Sequence, residues 1–464
     1  MQNQKSIAKV PFCYNFLIMT DWTTFLYALL PHPDKPFILV QNVSGKIMLP
    51  NTAHSERVWA ANTRVFKPVL EELAGAPINV LRYVAYHRDE DAHQTYFIYL
   101  LELRKGALLK NPLWELLEKI LEDSSLPSAL QEGLTRWQLE QSSGNIPEQR
   151  APWAMPDWHA QVENWIRDQV VRLDRGAIQS IEPIKSWSIS CVLKVTTETG
   201  IFYFKVARDL PLFVNEGVVM TRLAELYPDR LPRPIALAPE QGWMLLEDFG
   251  DSSGADASVE QQTRLMQDFA CLQIDSFQKI EALLEAGCKD RRVDILLSQI
   301  DPLFVDDLVL NLLNADEREK LKQIAPRLKV LITELFSLPI PVALLHGDLH
   351  AGNVVMNQDS ILYFDWTDAA VSHPFIDMIH IFMEEDEMKR TRLQEAYLLA
   401  WEENYPKADV RHAWELAGAL YGLYHAVSYQ YIAHGIEEIV QPELNFAYYF
   451  LRKLLAGIER LDNQ

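Results

Sequence analysis

At 464 residues the chain is long enough for two or three domain-sized units, and 48% hydrophobic with 23% charged residues is the make-up of a folded globular protein, not a disordered one. The formal net charge of -21, from 64 acidic and 43 basic residues, argues against nucleic acid or anionic lipid as partners. Four cysteines, Cys13, Cys191, Cys271 and Cys288, show no Cys-x-x-Cys spacing, which excludes a dense disulfide framework and predicts reduced thiols.

Lys5 and Lys9 precede an apolar run that Asn15 interrupts and Asp21 follows, with no small-residue cleavage site. The expectation is no signal peptide, no transmembrane span and a cytoplasmic setting. Strand patterns follow at Phe37 to Asn42, Lys46 to Leu49, Ile78 to His87 and Thr95 to Leu103. A helical pattern runs from about Ser55 to Leu73, and a second starts near Pro112, a favourable first-turn residue. These elements make a first domain over 1–140. Residues 141–157 carry Gly144, Pro147, Pro152 and Pro156 among polar residues with no hydrophobic period, the composition of a linker.

From Trp158, apolar residues Val162, Trp165, Ile166, Val170 and Leu173 recur at helical spacing, a packing stripe. Val192 to Thr197 and Ile201 to Ala207 read as strands around Glu198-Thr199-Gly200, a hairpin with glycine where positive φ is cheap. Lys205 ends the FYFKV strand, and Glu216 opens a helical pattern downstream. Ahead of the hairpin, residues 185–190 form a loop with Trp187, Ser188 and Ser190 and no glycine. Trp243 to Phe249 reads as a further strand, and beyond Gly250 the pattern is predominantly helical. The boundaries are then 158–249 for a β-rich lobe and 250–464 for a helical one.

The chemistry concentrates in Leu344 to Trp366, LLHGDLHAGNVVMNQDSILYFDW. Asp348 and Asn353 have the D-x-x-x-x-N spacing of a kinase catalytic loop, in which the aspartate accepts the substrate hydroxyl proton and the asparagine takes a metal ion. Asn353 to Met356 and Ile361 to Phe364 read as two short strands joined at Asn357, Gln358 and Asp359, so a hairpin returns Asp365 toward Asn353. An amide and a carboxylate oxygen suit magnesium. His346 and His350 have the four-residue spacing of a zinc pair, but that spacing unites two imidazoles only on a helix, and His346-Gly347-Asp348 reads as a loop. His346 is expected to brace the loop by hydrogen bonding. The acidic runs Glu384 to Glu387, Glu402-Glu403 and Glu437-Glu438 read as solvated helix faces; one lining a cleft would select a cationic acceptor.

The set His346, Gly347, Asp348, Asn353, Asp365 and Trp366 resembles the aminoglycoside phosphotransferase and choline kinase family, whose catalytic segment reads H-G-D-x-x-x-x-N followed by a strand ending in D-W or D-F. The resemblance implies an α+β, protein-kinase-like bilobal fold and an O-phosphotransferase using ATP, with GTP left open, and Mg2+ on a small-molecule hydroxyl. It also implies roles: Asp348 as catalytic base, Asn353 and Asp365 as metal ligands, Lys205 on the phosphates with Glu216 as its partner, Asp377 bracing the catalytic loop. Ser188 and Ser190 would stand in the phosphate-covering loop, where related enzymes carry glycines, and Glu247 to Phe249 at the adenine hinge. The order of elements in 1–140, with Leu49-Pro50 and LEELAG at 70–75, is similar to a Nudix domain, preceding the kinase part as a separate α/β domain. Lys67 and Pro68 stand where that family's metal helix wants an Arg-Glu pair, leaving only Glu71 and Glu72, so no hydrolysis is expected there. The alternative function is a nucleotide-binding pseudokinase with a ligand- or partner-sensing N-terminal domain, which the glycine-free loop favours.

Overall fold

The computed structural model describes residues 22–463 apart from 56–59, 61–62, 123–125, 255–256 and 358–359. Cys13, the N-terminal basic and apolar stretch, part of the predicted 55–73 helix, and Gln358 and Asp359 of the predicted turn lie outside the described residues. The chain divides into two compact units. One comprises the described residues up to Arg208 with Ile436–Pro442, the other Asp209–Gly435 and Glu443–Gln464.

The N-terminal part of the first unit is built on two sheets. Thr23–Leu29 runs parallel to Gln94–Leu103 and antiparallel to Asn51–His54, and Ile78–Asp89 completes that sheet beside Gln94–Leu103. Phe37–Val43 lies between Lys46–Met48 and Leu113–Leu116 in the smaller one. The Thr23–Leu29 strand alternates half-buried and buried residues, the period-2 signature of a strand with one face on a core. The helix expected to start near Pro112 begins only at Leu117, because Leu113–Leu116 pairs with Phe37–Val40 first. The long helix Ser128–Ser143 seats Leu130, Leu134 and Trp137 in the same core as Val84, Ile98 and Leu100, and stops at Gly144, in the left-handed region.

The same unit continues into Ile178–Ser186, Ser190–Thr197 and Ile201–Ala207, an antiparallel meander on which Trp158 and Trp165 of the Trp158–Arg172 helix meet the Phe204 ring. The described residues up to 140 are therefore not set apart as a unit of their own. The ammonium of Lys67, 6% exposed, pairs with Glu182, Arg104 meets Glu163 at 2.7 Å, and the Trp153 indole N–H donates to the Trp187 carbonyl at 2.6 Å. Within the predicted linker, Arg150 is almost wholly buried between Glu140 at 2.7 Å and Glu437 at 2.6 Å. A guanidinium taken out of water in this way needs both carboxylates.

The second unit is mainly helical. Val259–Ser276 and Ala315–Ser337 both begin on capping boxes, Ser258 with Gln261 and Asn314 with Glu317, which satisfy two orphan N–H groups at each start. Phe375 centres an aromatic cluster, 5.2 Å from Trp401, 5.7 Å from Tyr397 and 5.8 Å from Trp414. Side chains of this size contribute about 1.5–3 kcal/mol each on burial. Three short strands sit against this core: Ala370–Ser372 runs parallel to Lys289–Asp290 and antiparallel to Ala343–Leu345. The Val354–Met356 and Ile361–Tyr363 hairpin has the predicted antiparallel pairing. Among the described residues no helix is long and apolar enough to cross a membrane.

Candidate active site

The strand Ala343–Leu345 delivers His346, Gly347 and Asp348, and its position is fixed from below by the Val259–Ser276 helix. The Ser276 hydroxyl accepts the Leu344 N–H at 2.8 Å, and the Gln273 amide donates to the Leu344 carbonyl at 3.2 Å. The chain then turns at Gly347, whose φ of +84° lies in the left-handed region. Asp377 holds this turn with both oxygens: Oδ2 accepts the His346 N–H and Oδ1 the Gly347 N–H, each at 2.8 Å. Burial pushes the Asp377 carboxyl up to about 7, against the pull of those two bonds.

Asp348 stands at the end of the turn, its side chain 45% exposed. The Asn353 amide nitrogen donates to the Asp348 backbone carbonyl at 2.9 Å and lies 3.3 Å from Oδ2, which leaves the Asn353 side-chain Oδ1 for another partner. The hairpin brings back Phe364, clamped on both sides: its N–H donates to the Asn353 carbonyl and its carbonyl accepts from His346 Nε2, both at 3.0 Å. Asp365 follows at once with φ +65°, a left-handed conformation that a short polar side chain tolerates. Its Oδ1 meets the Thr367 hydroxyl at 3.1 Å. That hydroxyl also reaches Glu216 Oε2 at 3.1 Å, and Glu216 Oε1 accepts the Trp366 N–H at 3.1 Å.

The electrostatics follow from this packing. Burial holds His346 neutral, lowered to about 4, so its Nε2–H is a fixed donor. What burial Asp348 has would raise its carboxyl, but the adjacent His350 ring outweighs that and keeps the group below the usual carboxylate range. Asp348 is thus an anion ready to accept. Asn353 and Asp365 present only oxygen, one from an amide oriented by its own N–H donation and one from a half-buried carboxylate, a donor set that fits magnesium and lacks what zinc prefers. Among the described residues no group of three or more His, Cys, Asp or Glu is arranged to hold a metal.

The structure brings Asp348, Asn353, Asp365, His346, Asp377 and Glu216 into one network. Phe249 packs its ring on Phe364 at 5.2 Å, and exposed Glu247 ends the Trp243–Glu247 strand. Lys205 belongs to the other unit, half-buried in the Ile201–Ala207 strand opposite Val192. Ser188 lies there too, in the short turn over 187–189, and Ser190 opens the next strand, closing that turn: the Trp187 N–H donates to the Ser190 carbonyl at 3.1 Å and its indole to Ser190 Oγ at 2.5 Å. The acidic runs are largely engaged: Asp386 caps a helix, Glu384 pairs with Lys389, Glu402 with Arg411 and Lys407. Two contributors escaped the sequence reading. Thr367 carried no signal beyond its place after Asp-Trp, and the backbone of residues 253–254 joins the hairpin through Ser253 to the Val354 carbonyl at 2.9 Å and Gly254 to that of Ala351 at 3.0 Å.

A family model described as the phosphotransferase enzyme family matches residues 180–414, just over half of the chain. The chain belongs to this family. Solved structures similar to it include macrolide 2'-phosphotransferase MphH from Brachybacterium faecium, 16% identical, covering 61% of this chain and 97% of that one with a TM-score of 0.44. Choline kinase LicA from Streptococcus pneumoniae is 13% identical, covering 64% and 99% with a TM-score of 0.44. A spectinomycin phosphotransferase in complex with ADP and spectinomycin is 12% identical, covering 63% and 98% with a TM-score of 0.41. No curated protein matches the chain. As a phosphotransferase family member with one β-rich and one helical unit, the chain has the mixed α/β make-up of the kinase-like fold.

Proposed function

We propose that the protein is a magnesium-requiring O-phosphotransferase that moves the terminal phosphoryl group of ATP, or of GTP, to the hydroxyl of a small molecule in the cytoplasm. The observation that carries this reading is the clamp on Phe364, which ties the residue before Asp365 to the backbone of Asn353, whose amide in turn lies 3.3 Å from Asp348 Oδ2. Asp348 orients the acceptor hydroxyl and takes its proton, and its lowered pKa keeps it ionised for that task. Asn353 Oδ1 and the Asp365 carboxylate would hold magnesium, which when bound neutralises charge on the phosphates. Lys205 positions the phosphates, with Ser188 and Ser190 covering them and Glu247 to Phe249 against the base. His346 and Asp377 brace the loop, and Glu216 braces the segment after Asp365. Rate would come from positioning and charge neutralisation, with little covalent work by the protein.

For the N-terminal segment the proposal is a Nudix-like accessory part without hydrolytic activity. Pro68 lies inside the Thr63–Ala74 helix, and Glu71 is occupied by Lys67 at 3.4 Å and by the Ile78 N–H at 3.2 Å. A second reading, a nucleotide-binding pseudokinase, is favoured by the 185–190 loop, where the Lys185 ammonium sits 3.9 Å from the Trp187 ring centre and Trp187 engages Ser190. The deciding experiment is a screen of hydroxyl metabolites, cationic ones included, with labelled ATP and magnesium. Transfer that stops on chelation and returns with magnesium supports the enzyme; nucleotide binding with no transfer to any acceptor and no release of ADP supports the second reading.

A further inference from the structure

Beyond lowering the Asp348 carboxyl, His350 is given no role above, yet its ring is fixed against that group. Its Nδ1 accepts the Gly352 N–H at 2.9 Å, so in the neutral ring the proton lies on Nε2. Nε2 stands 3.6 Å from Asp348 Oδ2. The ring is 7% exposed and packs edge-on against His380 at 5.2 Å between centroids, which denies it other orientations. Oδ2 is also the oxygen that the Asn353 amide approaches at 3.3 Å. Two N–H groups, from residues on either side of one short turn, converge on the same carboxylate oxygen.

Building on the phosphotransferase reading, we propose that His350 is a positioning residue for the catalytic base: its Nε2–H, with the Asn353 amide, anchors Asp348 Oδ2 and turns Oδ1 to the acceptor hydroxyl. The 3.6 Å separation is longer than a hydrogen bond, and contacts of this kind tighten when substrate is bound. A carboxylate free to rotate would offer either oxygen and lose part of its orientation.

The competing role is structural: through Nδ1, His350 caps the short Ala351–Asn353 turn. Two substitutions separate these roles. H350N places an amide oxygen near the position of Nδ1, keeping the cap while removing the reach to Asp348. H350Q extends an amide N–H toward the position of Nε2. Release of ADP from magnesium ATP, with water or the hydroxyl pool as acceptor, is measured beside thermal unfolding. The expectation for H350N is a kcat lower by on the order of tenfold to a hundredfold, with KM for magnesium ATP and the unfolding temperature unchanged, and substantial recovery in H350Q. A parental kcat in H350N overturns the proposal. If both variants unfold, nitrogen NMR of the parental protein with labelled histidine decides: a neutral His350 protonated on Nε2 supports it and one protonated on Nδ1 overturns it. If the parental protein releases no ADP under any acceptor, the phosphotransferase reading itself fails, and the same NMR measurement still tests the His350 geometry.

Discussion

Glu216 Oε1 accepts the backbone N–H of Trp366 at 3.1 Å. Glu216 is 5% exposed and lies at the start of the Glu216–Leu226 helix, while Trp366 directly follows Asp365, so this bond joins a helix to the segment that carries a proposed magnesium ligand. Glu216→Ala leaves the Trp366 N–H without this acceptor and frees the Thr367 hydroxyl from one of its two. The expected cost is about 1–3 kcal/mol of stability. It should also raise the magnesium concentration needed for half-maximal turnover, measured by titrating the metal at fixed ATP. An unchanged magnesium requirement would show that the bond does not orient Asp365.

Gly347 gives a sharper contrast. A Cβ placed there would lie 2.4 Å from the Asp368 Cβ and 2.6 Å from the Asp368 carbonyl oxygen, at a φ of +84°. Gly106 has nearly the same φ of +83° with nothing within 4 Å of its Cβ position. Gly347→Ala should therefore lose about 2–4 kcal/mol through strain and overpacking together. Gly106→Ala should lose only the strain component, about 1 kcal/mol. Denaturant midpoints of the two variants test this, and equal losses would contradict it.

Acid should destabilise the fold between about pH 6.5 and 4. Burial lowers His159 and His346 to about 4, His373 and His425 to about 3, and His380 well below its ordinary 6.5. The unfolded chain therefore takes up these protons first as pH falls, and stability present above 6.5 is lost on the way down. Asp377, raised to about 7, acts with the opposite sign from pH 7 downward, since its folded form binds the proton more tightly than the unfolded chain does. Five imidazoles against one carboxyl give a net loss. Urea midpoints at pH 7 and pH 4.5 should fall with acidity; a midpoint that rose would refute the assignment of these histidines as buried and neutral.

What was legible in the sequence is what depends on near neighbours. Alternation and a turn cluster gave the Val354–Met356 and Ile361–Tyr363 hairpin, and the D-x-x-x-x-N spacing put Asn353 within reach of Asp348 because one tight turn separates them. Thr23–Leu29 has the same alternation, but its parallel partner Gln94–Leu103 is remote in sequence, so nothing nearby marks it as a strand. Pro112 reads as a helix start only when the pairing of Leu113–Leu116 with Phe37–Val40 is unknown. The bonds of Glu216 to Trp366 and Thr367 join residues with no shared pattern. His350 drew notice only as half of a zinc spacing, since the fixing of its ring by Gly352 depends on the turn after Asp348.

The predicted linker also misled, because its composition is that of a solvated segment while Trp153 is buried and Arg150 closes an ion-pair chain with Glu140 and Glu437. A chain starting at Met155 would strip Glu182 and Glu163 of Lys67 and Arg104, and the Trp187 carbonyl of the Trp153 indole. It should express as insoluble protein or unfold well below the full-length chain by differential scanning fluorimetry. A soluble product with the full-length unfolding temperature would show that the first 154 residues are dispensable for folding.

The proposed function stands on Asp348 as the base of a phosphoryl transfer. Asp348→Asn keeps the shape and the approach of the Asn353 amide to the 348 carbonyl, but an amide cannot take the hydroxyl proton. The measurement is turnover of magnesium ATP by the variant with the best acceptor from the screen, alongside nucleotide binding by calorimetry. Turnover should fall by on the order of a thousandfold or more with binding of magnesium nucleotide nearly intact. Transfer by Asp348→Asn at the parental rate would show that Asp348 is not the base.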